Sequence, residues 1–70
     1  MKARCEIKGG NLRQALDDID SAGFACDVFD GMLVFDIIKD SRKSLERALT
    51  TIDELCIKAG CCFSAMVSEG

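Results

Sequence analysis

The 70-residue chain has no histidine, tyrosine or tryptophan, and phenylalanine is its only aromatic. Without histidine the usual general base near neutral pH is missing, so acid-base catalysis would fall to carboxylates, lysines or cysteines. Zinc loses its usual nitrogen ligand as well, and no Cys-x-x-Cys spacing replaces it, so no metal site and no cofactor is expected. Basic residues are in deficit, with nine Lys and Arg against twelve Asp and Glu and a formal net charge of -3. A general nucleic-acid binder needs a basic stripe to displace counterions, so direct DNA or RNA binding is not expected. Neither G-x-G-x-x-G nor a Walker sequence is present. No apolar run approaches the ~20 residues of a membrane span. Met1-Lys2 leads into a strand pattern rather than a signal peptide, and a soluble, cytoplasmic protein is expected.

Cysteine is plentiful, at five residues, but the number is odd and no secretory leader is expected, which argues against a disulfide framework. Cys5, Cys26 and Cys56 fall in phase with the apolar residues around them, where a free thiol acts as a small buried hydrophobe. Cys61-Cys62 should point to opposite faces of the last strand, leaving Cys62 as the thiol expected to react.

Residues 1–70 read as a single domain that says nearly the same thing twice. Leu12, Ala15, Leu16, Ile19, Asp20 and Ala22-Gly23 recur as Leu45, Ala48, Leu49, Ile52, Asp53 and Ala59-Gly60. Each copy is an amphipathic helix closed by glycine, with an extended apolar segment on either side. Lys2 to Lys8 alternates, with Ala3, Cys5 and Ile7 on one face and Lys2, Arg4, Glu6 and Lys8 on the other. Asn11 with Gln14 predicts a capped helix start, and Gly23 its stop. Phe24 to Phe29 and Met32 to Ile38 flank Asp30-Gly31, a strong signal for a type I′ hairpin. That turn sets Val28 opposite Leu33, Cys26 opposite Phe35 and Phe24 opposite Ile37 on a core face. Phe29 with Met32, Asp27 with Val34, and Ala25 with Asp36 fall on the other. Asp40 or Ser41 caps the second helix, whose stripe of Leu45, Ala48, Leu49, Ile52, Leu55, Cys56 and Ala59 ends at Gly60. A last strand from Cys61 to Val67 would turn Phe63, Ala65 and Val67 inward. Short local connections and right-handed crossovers then predict an α+β, ferredoxin-like βαββαβ two-layer sandwich, its antiparallel sheet ordered 4-1-3-2 with two helices on one face.

Charge placement adds an expectation. Asp17, Asp18 and Asp20 sit toward the end of the first helix and Arg42, Lys43 and Arg47 toward the start of the second, each opposing its own macrodipole. Antiparallel helices would let these groups pair across. Arg4 should likewise pair with Asp36 on the neighbouring strand, which makes a catalytic Asp27 and Asp36 couple a poor prospect. Ser41 and Ser44 beside Arg42 and Lys43 could hold an anion at a helix start, though such serines more often cap.

Gly9-Gly10-Asn11 is the only glycine-rich stretch, and it opens a helix after a strand, where backbone amides could face an anion. In placement it is similar to the ligand loop of amino-acid-sensing ACT domains, on Gly10, Leu12 and the later Gly23. Lys8 and Gly9 stand where that loop has an acidic residue and a proline, so no site residue is carried over.

The sheet face that the helices leave open should carry Phe29, Met32, Val34, Ile38 and Met66, interleaved with Arg4, Glu6, Asp27 and Asp36. Several apolar residues inside a charged rim make an interaction surface, unless the Ser68-Glu69-Gly70 tail or the Arg4 and Lys8 stems cover them. The edge strand Phe24 to Phe29 offers strand addition, blunted by Asp27 and Asp30. The expected function is a small non-catalytic module binding protein, either its own copy or another chain. Phe29, Met32 and Val34 would anchor the partner, and Arg4, Asp27 and Asp36 would set specificity. Such a module suits a regulator or inhibitor of a larger machine, including a phage-encoded one. The alternative is a ligand-sensing domain holding an anionic small molecule at Gly9, Gly10 and Asn11. A third reading, a thiol or carboxylate enzyme, would centre on Cys62 or on Asp27 and Asp36.

Overall fold

The computed structural model describes residues 1–68. Its elements run β1 (Lys2–Lys8), α1 (Leu12–Ser21), β2 (Asp27–Phe29), β3 (Met32–Ile38), α2 (Arg42–Ala59) and β4 (Cys62–Ser68). The four strands form one antiparallel sheet in the order β2-β3-β1-β4, the 4-1-3-2 topology that the sequence predicts. Both helices pack on one side of it, giving an α+β two-layer sandwich of ferredoxin-like type.

Local chemistry explains the elements. Asn11 Oδ1 accepts the Gln14 backbone N–H at 3.1 Å and Ser41 Oγ accepts that of Ser44 at 3.2 Å, satisfying amides that have no partner inside their helices. The helix ends repeat as the sequence does. Gly23 N–H bonds Asp20 O at 3.0 Å and Phe24 N–H bonds Ile19 O at 3.2 Å; Gly60 N–H bonds Ile57 O at 3.1 Å and Cys61 N–H bonds Cys56 O at 2.9 Å. Both are Schellman closures, which tie the last free carbonyls to the departing chain. Asp30 and Gly31 take φ of 52° and 74°, the paired left-handed conformation that a type I′ hairpin requires.

The core lies between the helices and the middle of the sheet. Ala3, Cys5 and Ile7 of β1, Leu33, Phe35 and Ile37 of β3, Ala15 and Ile19 of α1, and Leu45, Ala48, Ile52, Cys56 and Ala59 of α2 are buried in one cluster. Leu12, Leu16, Leu49 and Leu55 pack half-buried against it.

Several expectations need correction, all at the margins of this core. β2 spans three residues rather than six, so Phe24, Ala25 and Cys26 have no strand partners. The reason is the Schellman closure: Phe24 N–H is held by the end of α1 and cannot join a ladder. Val28, expected in the core opposite Leu33, keeps that register but is 65% exposed, because so short an edge strand has nothing above it. β4 begins at Cys62, since Cys61 N–H closes α2. Phe63 is half-buried, yet Ala65 is exposed and Val67 is 46% exposed, so the inward phase of β4 is right but most of that face is uncovered. The charged helix ends do not pair across. Among the described residues the one ion pair joins Arg42 to Glu46 at 3.5 Å, one turn along α2. Arg4 and Asp36 are directly opposite in register but form no ion pair either. Both lie in water, where such a pair gains little over hydration.

Candidate functional site

The sheet face turned away from the helices gathers the candidate residues. β3 and β1 pair Val34 with Glu6 and Asp36 with Arg4, while the hairpin sets Asp27 opposite Val34 and Phe29 opposite Met32. Alternation then turns Asp27, Phe29, Met32, Val34, Asp36, Arg4 and Glu6 to the same side. A shallow depression of about 360 Å³ opens there, lined by Arg4, Glu6, Asp27, Phe29, Met32 and Val34. Phe29 is 70% exposed, while Met32 and Val34 form a half-buried floor.

Five of the six residues expected to bind a partner therefore meet around one hollow. Asp36 lies on the same face but does not line it, and Glu6 does. The signal for Glu6 was its strand phase; that it borders the hollow depends on the Glu6 to Val34 register, which only the sheet order supplies. Arg4, Glu6 and Asp27 have no ion-pair partner among the described residues. An apolar floor ringed by unpaired charges of both signs offers a partner chain apolar contact and orienting ion pairs together. Ile38 and Met66, also exposed, extend the apolar area beyond the depression. The suggested shielding by the tail rests on Glu69-Gly70, which lie outside the described residues, while Ser68 ends β4.

The glycine loop has a different environment. Asn11 N–H donates to Ala59 O at 2.9 Å, and a Cβ on Gly10 would overlap the Gly60 carbonyl and reach Ala59 O at 2.8 Å. The loop thus backs onto the C-terminus of α2, whose carbonyls carry partial negative charge. Gly10 is there for a close backbone approach. That contact accounts for the glycine without an anion, and the nearby carbonyls would repel one.

The thiols divide by burial. Cys5 and Cys56 are buried and Cys26 is half-buried; desolvation, with smaller help from nearby acidic groups and, for Cys5 and Cys56, neighbouring thiols, pushes each up to about 11. Cys61 is also raised, first by burial. These four hold their protons at neutral pH, and a protonated thiol is a poor nucleophile. Cys62 is exposed, opposite Lys8 in the ladder, in a small hollow of about 110 Å³ with Glu6, Phe63 and Ser64. Asp27 and Asp36 sit diagonally across β2 and β3, and only Asp27 reaches the depression. Among the described residues no group of three His, Cys, Asp or Glu could hold a metal ion, and no helix is long and apolar enough to cross a membrane.

No protein-family model matches the chain, and no curated protein shows a significant match to it.

Proposed function

We propose that the chain is a small non-catalytic interaction module that binds a protein partner through the open face of its sheet, in the manner of a regulator or inhibitor of a larger assembly. The observation that carries this reading is the convergence of Phe29, Met32 and Val34 with Arg4, Glu6 and Asp27 around one depression. Phe29 at the rim of a half-buried floor is the kind of aromatic anchor that dominates binding energy when a partner excludes water from it. The three charged side chains fix the orientation of what binds.

Affinity capture from a lysate, run in parallel with the native chain and with Val34→Asp as bait, tests the reading. A partner held by the native chain should be lost from Val34→Asp, since a carboxylate there would lie directly opposite Glu6 and Asp27 and would have to be desolvated beneath the partner. Phe29→Asp, at a more exposed position, gives the same test if Val34→Asp unfolds the domain. A partner retained by a folded variant would place the binding surface elsewhere.

A further inference from the structure

Of the two sheet edges, β4 is the unguarded one. It pairs with β1 at every residue from Cys62 to Ser68 without a bulge, and among the described residues nothing pairs with its other side. Sheets protect such edges with charge, proline, a bulge or a covering segment. Ala59 through Ser68 contain no charged residue and no proline. The side chains beside this edge are uncovered on both faces: Met66 is 77% exposed on the open side, and Ala65 and Val67 are exposed on the helix side. β2, at the other edge, is three residues long and carries Asp27.

We propose that β4 pairs antiparallel with β4 of a second copy of this chain, joining the two sheets edge to edge. A two-fold axis normal to the sheet brings an edge strand antiparallel to itself and keeps the helices of both copies on the same side. Directly opposed residues must face the same way, which restricts the pairing to registers in which one residue meets its own equivalent on the axis. Full overlap of Cys62–Ser68 puts Ala65 there. Phe63 then lies opposite Val67 of the second copy, closing the uncovered strip on the helix side, and Ser64 lies opposite Met66 on the open side.

The lack of charge is what selects a copy over a foreign strand. At a two-fold axis like meets like, and opposed like charges destabilise a ladder. β1 carries Lys2, Arg4, Glu6 and Lys8, β2 carries Asp27 and β3 carries Asp36, while β4 carries none. Nor does β4 offer a charge by which a different chain would be recognised.

The test is solution mass by light scattering, over a concentration series, for the native chain, Ala65→Lys, Ala65→Asp and an equimolar mixture of the two variants. The native chain should reach twice its 7.6 kDa. Each variant alone should stay monomeric, because its charge would meet itself on the axis, and the mixture should recover the dimer. A native chain that is monomeric throughout, a variant that still dimerises, or a mixture that stays monomeric would each overturn the proposal. Should the Ala65 variants fail to fold, hydrogen exchange on the native chain decides. The β4 amides not bonded to β1 should gain protection as concentration rises, and protection that does not change with concentration refutes the pairing. Phe29→Asp separates this proposal from the open-face reading. It should leave the dimer intact while abolishing partner capture, whereas a dimer that Phe29→Asp splits and Ala65→Lys spares would put self-association on the open face.

Discussion

Two glycines share the turn between β1 and α1, and only one of them lacks room for a side chain. Gly9 and Gly10 have φ of 75° and 57°, conformations that cost an ordinary residue about 1–2 kcal/mol. A Cβ on Gly9 would meet nothing within 4 Å, whereas one on Gly10 would run into the backbone of Ala59 and Gly60. Gly9→Ala should therefore lower unfolding free energy by about 1–2 kcal/mol, the backbone cost alone. Gly10→Ala should cost clearly more, on the order of 3 kcal/mol, because the contact between the turn and the end of α2 must open as well. Urea denaturation of the two variants checks the ranking. Equal losses would mean that the turn moves away from α2 freely. Sequence alone marked both residues as one glycine-rich stretch and could not tell them apart, since the obstacle to Gly10 comes from residues about fifty positions along the chain.

At the scale of single elements, the features that depend on neighbours in sequence were legible and those that depend on cover were not. Asn11, Ser41 and Asp30-Gly31 act on amides or torsions within a few residues of themselves, so local sequence was enough to find the first cap and the hairpin and to narrow the second cap to Asp40 or Ser41, of which the structure uses Ser41. The alternation of Phe63, Ala65 and Val67 reported correctly which way each points. It carried no information on whether a helix lies above. The same limit explains Val28, and it explains the helix charges. With no ion pair between α1 and α2, Asp20 in the last turn of α1 faces a like partial charge from the carbonyl end of its own helix. Asp20→Lys should accordingly stabilise the domain, by about 0.3–1 kcal/mol at low ionic strength and less in salt. The urea midpoint at two salt concentrations measures it. A loss of stability on substitution would show that Asp20 is paired with α2 in solution after all.

For the molecule as a whole, burial of thiols in a small core ties stability to alkaline pH. A chain of this length has a total stability of about 4–10 kcal/mol, so any term of a few kcal/mol is felt throughout. Cys5 and Cys56 are buried and ionise near 11 in the folded state, against an ordinary value of 9.0. Between those values the unfolded chain has released thiol protons that the folded chain still binds. Raising the pH therefore pulls the equilibrium toward the unfolded state. The stabilisation is fully present below pH 9 and is lost as pH rises toward 11. Two units correspond to roughly 3 kcal/mol for each fully buried group, so these two thiols together place on the order of 5 kcal/mol at stake. Half-buried Cys26 adds less because solvent screens it. The urea midpoint under reducing conditions should be flat from neutrality to about pH 9 and then fall steeply toward pH 11. A Cys5→Ala, Cys56→Ala double variant should start less stable, having lost buried volume, and should lose much less between pH 9 and 11. If both proteins fell with the same slope, the alkaline loss would arise from lysines or the net negative charge, and the core thiols would have no part in it.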